Sequence, residues 1–483
     1  MDVLKTTAKG IAWTTASTIV KSVVSLVQVS ILTRFLVKGD FGLVAIANLF
    51  IGFTQIFVEM GLSAGIMHRN DTTREQYSSL FWLNVLTGAL LTGILCLISP
   101  LVANAYNELE LARVLIMLSF CIFFSSLGIQ HRIVQQKHMR FKSIALVEIS
   151  TALLSLVLAI VLAVKGAGVY SLVYSSLFHS LSAGLLFLAI GLVKDNNISF
   201  HFRLSDTYDY LKIGVYSMGS QILDYFSRES DTLIISATLG KETVGVYSLC
   251  KKLVLSVYNS VNPIFNRVLT PVIAALQEDK QRVKNLYLTI TETLALMNMP
   301  VYCLIAIFAA GILNCIYGAQ YLDGAIVLMF LSLSYGVNAP ASLTGPLQTA
   351  TGRTDLGFYW TFCRVALTIV TVFLGSRYGI NAIAVALFVL TLLTNPVIWR
   401  ITIKPIINCS YWEYLSRSVV IGLIIIAYSA PFYFLFGQWM SVPACLGIGV
   451  GYTVLFVALV YLLFPSSYPV RLAKEKLGLN KAD

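Results

Sequence analysis

The chain has 483 residues, of which 57% are hydrophobic and only 12% charged, and its mean hydropathy is +0.79. A soluble protein of this length carries about twice that share of charge, so a string of soluble domains is excluded. The net charge of +11 follows from where the loops fall, and it gives no reason to expect a nucleic-acid partner.

The first segment, MDVLKTTAKG, is short and basic. The apolar run behind it is too long and too polar for a signal-peptide core, and no small-residue cleavage site follows, so it reads as a retained first helix. Fourteen such runs succeed one another, near 10–33, 40–64, 79–103, 112–131, 143–164, 168–192, 210–236, 243–273, 286–316, 322–347, 356–375, 379–401, 414–436 and 441–464. A transmembrane helix needs about 20 apolar residues. Strand-type alternation is missing, and backbone groups in lipid then require helices. The fold class expected is an all-α polytopic membrane protein of about fourteen transmembrane helices. The eight cysteines are scattered, with no CxxC or Cys/His cluster. They read as small buried packing residues rather than disulfides or metal ligands.

Basic residues at membrane ends tend to stay on the cytoplasmic side. With the N-terminus inside, 22 of the 34 Lys and Arg fall in or beside inside segments and six in outside connections. Both termini are therefore expected in the cytoplasm, with a basic lipid-surface tail. No outside loop exceeds roughly a dozen residues, and no phosphate loop or HExxH motif occurs. Function is expected inside the helix bundle.

Charges inside the runs mark where. In chain order the bases are Lys21, Arg228, Lys251, Lys252, Arg267 and Arg364, and the acids are Glu59, Glu148, Asp224, Glu229, Asp231 and Glu292. His179 is the one clearly embedded histidine and reads as core packing. Charges at a helix centre cost about 2.5–3.5 kcal/mol each on insertion scales, so the cluster in QILDYFSRESDTLIIS (221–236) needs a reason. At about 100° per residue, Asp224, Arg228 and Asp231 share a face with Ser217 and Ser220, while Glu229 lies off it. A local Asp–Arg ladder explains the charges; a hydrated functional face explains them too, and is preferred.

A repeat supports the second reading. ILTRFLVKGDFGLVA (31–45) and IISATLGKETVGVYS (234–248) align at an offset of 203, matching Ile31/Ile234, Leu36/Leu239, Lys38/Lys241 and Gly42/Gly245. The same offset puts Lys21 at the place of Asp224 and lays the polar stripe of the first helix over that of the seventh. The expected organisation is a lobe at 1–195, a pseudosymmetric lobe at 205–402, a terminal helix pair at 414–464 and a basic tail at 465–483. Repeats around a midplane site are characteristic of secondary transporters.

Several longer stretches carry a resemblance. FGLVAIANLFIGFTQIFVEMGLSAGIMHRND (41–71), YSSLFWLNVLTG (77–88), RIVQQKHMRFKSIALVEIS (132–150), AVKGAGVYSLV (163–173), GKETVGVYSLCKKLV (240–254) and NPIFNRVLTPVIAALQEDKQRVK (262–284) resemble the Wzx-type polysaccharide flippases. These form the polysaccharide-transport branch of the superfamily that also holds the MATE transporters and lipid II flippases. The resemblance implies two six-helix lobes around a central cavity in a bacterial inner membrane. It implies alternating-access transfer of an undecaprenyl-pyrophosphate-linked oligosaccharide across that membrane, with no catalysis. Lys21, Arg228, Lys251, Lys252 and Arg364 are the positions that could hold the pyrophosphate. Asp224 and Asp231 are the candidates for ion coupling, as in an antiporter, and Asp231 stands where family members often carry an acid. No cofactor or metal is expected; a proton or Na⁺ is the candidate coupling ion. Expected partners are the lipid-linked oligosaccharide, membrane lipids, and a polysaccharide polymerase with its chain-length machinery.

The chemistry agrees, since buried Arg can bind a pyrophosphate bidentately and Lys as a point charge. A small-cation exporter of MATE type would want an acid-rich aromatic cavity, against which the embedded bases argue. A lipid II flippase belongs to the same mechanistic class. A membrane polymerase or glycosyltransferase would show a long outside loop or an inside domain with paired acids, and neither is present.

Overall fold

A computed structural model describes residues 2–59, 66–67, 72–194, 199–436 and 442–463. Side chains are described for these except at 2–9, 11, 194, 213, 216–217, 264, 267–268, 436 and 442–446. The basic tail 465–483 and the side chains of Ser217 and Arg267 therefore lie outside the described residues. The described secondary structure is helical throughout, with no strand. The first six helices are α1 (Asp2–Leu32), α2 (Lys38–Glu59), α3 (Arg74–Ala105), α4 (Leu109–Lys137), α5 (Phe141–Val164) and α6 (Tyr170–Lys194). A continuous helical run, Tyr208–Leu276, breaks at Gly240, whose φ of 79° and ψ of 173° suit a residue without Cβ. It therefore comprises α7 (208–239) and α8 (241–276). After these come α9 (Lys280–Ile307), α10 (Ala309–Ile316), α11 (Ala325–Asn338), α12 (Thr344–Ala350), α13 (Thr354–Ser376), α14 (Ile380–Ile398), α15 (Lys404–Ile407), α16 (Tyr411–Ser416), α17 (Val419–Phe436) and α18 (Val442–Leu463).

Eleven described stretches are long and apolar enough to cross a membrane. The charge-bearing α7 and α8 and the shorter apolar stretch Gly447–Leu462 complete the fourteen runs read from the sequence, and the protein is an all-α polytopic membrane protein. Large apolar side chains stand exposed along the helices, Leu97, Leu101, Phe362 and Phe434 among them, as a surface facing lipid tails requires.

Among the described residues, three runs are not the continuous helices expected. The thirteenth parts at residues 417–418 into α16 and α17. The ninth parts at Phe308 into α9 and α10. The tenth is a 3-10 turn at Ala319–Gly324, then α11, a second 3-10 turn at Pro340–Leu343, and α12. Pro340 has no N–H to continue the ladder, and the apolar span still runs Ala319–Ala350. Hydropathy registers the span and is blind to the breaks. Two cysteines, Cys315 and Cys363, are exposed rather than buried.

Contacts gather the residues into two compact units, Met1–Ser248 and Leu249–Asp483. In the first, α4 packs on α2, α3 and α6, and α5 packs on α1 and α6. Small residues let these backbones approach, as expected in lipid: a Cβ on Gly88 would strike Ser126, and one on Gly184 would strike the Phe124 carbonyl. Buried polar side chains bind backbone across the helices. Asn84 donates to Ser126 O at 3.1 Å and Gln130 to Tyr77 O at 2.8 Å. In the second unit, α9 is the spine. Tyr287, Leu288 and Leu294 pack with Leu269, Leu347, Ile407 and Tyr414. Farther along, Met299 and Cys303 pack with Val337, Ile425 and Tyr452, which seats the terminal pair α17 and α18.

The repeat has a physical counterpart inside the first unit. A Cβ on Gly42 would overlap the carbonyl of Lys241, and a Cβ on Gly245 would overlap the carbonyl of Lys38. The offset of 203 exchanges these two contacts, as a local pseudo-twofold axis does. Neither helix start tolerates a side chain there, so both positions are glycine.

Candidate functional site

Most embedded charges of the first unit fall into two groups. One is a knot around Glu148 on α5. Each carboxylate oxygen receives two donors. Lys21 Nζ of α1 donates to Oε2 at 2.5 Å and Ser17 Oγ to the same oxygen at 3.0 Å. Arg132 of α4 donates to Oε1 through Nε at 3.1 Å and Nη2 at 3.0 Å. The side chains of Lys21 and Arg132 remain 37% and 45% accessible, against 16% for Glu148. Two cations thus share one better-buried anion. His179 on α6 interacts electrostatically with both Lys21 and Glu148, and its Nδ1 is buried without a hydrogen-bond partner. Of these residues, only Lys21 was proposed from sequence as a site residue.

The second group lines a cleft of about 340 Å³ between α2 and α7. Gln55, Glu59 and Gly52 come from α2; Gln221, Asp224, Tyr225, Arg228 and Glu229 come from α7. Tyr225 fastens the two helices, donating from its hydroxyl to Leu49 O at 2.5 Å and packing against Phe53. The cleft holds three carboxylates and one guanidinium. Asp224 and Arg228 interact electrostatically, as their i, i+4 spacing suggests. Arg132 of the knot also acts on Glu59, so the two groups are electrical neighbours.

The helical wheel misjudged two members of the stretch. Glu229, placed off the face, lines the cleft and accepts a hydrogen bond from Thr232 Oγ1 at 3.2 Å. Asp231, placed on it, instead accepts from Tyr247 Oη of α8 at 2.6 Å and from the Thr232 N–H at 2.6 Å. Real side chains swing by a rotamer, which a seven-residue wheel argument cannot anticipate.

The remaining sequence candidates belong to the second unit. Lys251 is buried on α8, and its neighbour Lys252 keeps an accessible side-chain surface although protein surrounds it. Arg364 is half-buried midway along α13. Glu292, another embedded acid, accepts from Arg417 at 2.9 Å.

Outside the spans, the 3-10 turn before α7 is tied to α3. Ser79 Oγ donates to Asp206 Oδ2 at 2.9 Å, and His201 Nε2 lies 3.0 Å from the same oxygen. These two contacts, the serine first, hold the Asp206 carboxyl below its ordinary range. Among the described residues, no group of three His, Cys, Asp or Glu could hold a metal ion.

A family model described as "Polysaccharide biosynthesis protein" matches residues 31–326, more than half of the chain. The chain is 30% identical to the amylovoran biosynthesis protein AmsL of Erwinia amylovora over 79% of this chain and 99% of that one. It is 25% identical to the succinoglycan biosynthesis transport protein ExoT of Rhizobium meliloti over 78% of this chain and 75% of that one. Its fold is similar to that of the lipid II flippase MurJ in an inward closed conformation, with a TM-score of 0.73 at 14% identity, over 93% of this chain and 99% of MurJ.

Proposed function

The chain belongs to the polysaccharide biosynthesis protein family, and we propose that it is a flippase. It moves an undecaprenyl-pyrophosphate-linked oligosaccharide from the cytoplasmic to the periplasmic leaflet of a bacterial inner membrane by alternating access, without catalysing a reaction. Both termini are cytoplasmic in this reading, and a polymerase with its chain-length machinery takes up the product. The observation that carries it is the pair of charged groups set among apolar helices, the Lys21–Glu148–Arg132 knot and the cleft of Asp224 and Arg228. Embedded charges mark substrate or ion pathways because their insertion costs about 2.5–3.5 kcal/mol each. A transporter has a use for such charges and a scaffold has none.

Of the basic candidates, Lys21, Lys251, Lys252 and Arg364 serve the pyrophosphate while Arg228 balances the acids of its own cleft, and acceptor side chains such as Gln55 and Gln221 serve sugar hydroxyls. Nothing in the sequence suggests ATP binding, so a gradient of H⁺ or Na⁺ drives net transport, with Asp224 and Asp231 as its ligands. The test is reconstitution of the full chain in vesicles with a fluorescent undecaprenyl-pyrophosphate-linked oligosaccharide. Protein-dependent loss of the outer-leaflet signal to an added glycosidase, faster under an imposed gradient, is the expected result. No protein-dependent transfer in either direction, with correctly folded protein, rejects the flippase.

A further inference from the structure

The knot and the cleft differ in what they can accept. A pyrophosphate carries two or more negative charges, and it meets three carboxylates and one guanidinium in the α2/α7 cleft. That balance repels it. In the knot two cations contact one carboxylate, and Glu59 of the cleft acts on Arg132 only from beyond it. The knot's donors already hold an oxyanion in the geometry a phosphate would need. Arg132 presents Nε and Nη2 side by side, the edge that binds carboxylate and phosphate alike. Lys21 and Ser17 supply two further donors to the second oxygen. Both cations keep over a third of their side-chain surface accessible while Glu148 is largely covered. A ligand can therefore reach the donors without first unfolding anything.

We infer that Lys21 and Arg132 form a diphosphate site in which Glu148 is the resident counter-ion, and that the lipid carrier's diphosphate binds by displacing the Glu148 carboxylate. The inference rests on the flippase reading and assigns its anionic group to one place. It adds Arg132 and Glu148 to the substrate machinery and gives Glu148 a role of its own. With the site empty, Glu148 neutralises two cations that would otherwise be costly to bury. With the site filled, it is pushed aside, and on release it returns and competes with the ligand. Arg132 stands near the α4 end, beside the loop at 138–140 expected to face the cytoplasm, the level at which a lipid headgroup lies. The freed carboxylate has an orphan neighbour in His179 Nδ1.

The experiment uses the purified full chain in detergent and farnesyl diphosphate as probe, with farnesol and inorganic pyrophosphate as comparison ligands. Wild type should bind farnesyl diphosphate at least about tenfold more tightly than farnesol, and Arg132→Gln and Lys21→Gln should each lose about tenfold, as expected for charge-assisted donors. Glu148→Gln should bind about three- to tenfold more tightly than wild type, because the internal competitor has lost its charge. An ion pair with only a structural role predicts no gain. Thermal unfolding of each variant shows whether it is folded, Lys21→Met replaces Lys21→Gln if that variant does not fold, and Lys21→Arg, which keeps the charge, should stay within about threefold of wild type. Affinity in Glu148→Gln equal to or weaker than wild type, with its unfolding midpoint retained, overturns the site. Unchanged binding in Arg132→Gln overturns it too. Equal affinity for inorganic pyrophosphate keeps the anion site and makes a soluble diphosphate its source, whereas preference for the farnesyl form makes that source the lipid carrier. If the variant pattern fails while vesicle transport persists, the site is wrong and the flippase stands. If the pattern holds and vesicles transport nothing, the site stands and the flippase reading falls.

Discussion

Lys21 and Asp224 occupy the same register of two repeated helices, 203 positions apart, yet their surroundings are electrically opposite. Lys21 sits where two cations share one carboxylate; Asp224 sits where three carboxylates share one guanidinium. The sequence repeat places a polar face twice, and the two faces carry inverse charge. The lesson is that an embedded basic residue does not by itself mark an anion site. Arg228 and Arg132 are both arginines near the same group of helices, and only one of them has cationic company.

The largest effect expected is from inverting the knot. Lys21→Glu puts two carboxylates beside Arg132 and removes a short charge-assisted bond. Such bonds contribute about 1.5–3 kcal/mol, so the variant should lose roughly that much stability and more than about tenfold of transport. Joining it with Glu148→Lys restores opposite charges, and the double variant should regain over half of the lost stability in a double-mutant cycle. Additive losses would show that the two residues do not interact as the geometry indicates.

Arg228→Ala tests the other side. Removing the single guanidinium leaves Glu59, Asp224 and Glu229 together, so transport should fall by about three- to tenfold, while farnesyl diphosphate affinity stays within about twofold of wild type. Arg228→Lys should transport better than Arg228→Ala, because the acids need a positive charge more than a planar fork. A loss of diphosphate affinity in Arg228→Ala equal to that in Arg132→Gln would erase the distinction between the two regions.

Much of this molecule was legible beforehand because lipid is a strict solvent. Fourteen apolar runs and the missing strands follow from the need to close backbone hydrogen bonds within each span, and the glycine pair of the repeat follows from the close approach of two backbones. The site was legible as a set of improbable residues and illegible as a set of pairs. Glu148 stands out in ALVEISTALL as a lone acid, but its partners Lys21 and Arg132 are 127 and 16 residues away, and no local period joins them. Arg132 was hidden for another reason. It stands at the edge of a predicted loop and was counted there as an orientation signal, when α4 continues to Lys137 and turns its side chain onto α5. The breaks in the tenth span escaped because a window average weighs apolarity and ignores Pro340.

Asp231 supplies a finer test, since it stands seven residues from Asp224 without lining the cleft. Its hydrogen bond from Tyr247 joins α7 to α8 at 2.6 Å, and a proton or Na⁺ bound at Asp231 would weaken it. Tyr247→Phe removes the hydroxyl and should cost about 1–2 kcal/mol in unfolding measurements. If the acid couples transport to an ion, Asp231→Asn keeps substrate binding and loses the response of vesicle transport to an imposed gradient, while Tyr247→Phe shifts the pH at which that response is half-maximal. A gradient response unchanged in both variants makes the bond a static tie between the helices.

The smallest effect expected lies outside the spans, where Asp206 repeats the knot's chemistry in water. Like Glu148 it accepts from a serine hydroxyl and lies against a basic side chain, here Ser79 and His201. Those contacts lower its carboxyl below the ordinary value of 3.8. A carboxylate lowered on folding stabilises the protein at all pH values above its unfolded value, and that contribution disappears as pH falls through the folded value. Asp206→Asn should therefore lower the unfolding midpoint by a small amount at neutral pH, and the gap from wild type should close below the ordinary carboxylate value. The same donor types that make the embedded knot costly to break are screened here by solvent and salt, so added salt should shrink the gap at Asp206 and leave the Lys21→Glu loss largely intact. If salt reduces both losses equally, the knot is as wet as the loop, and the contrast between embedded and exposed carboxylates is lost.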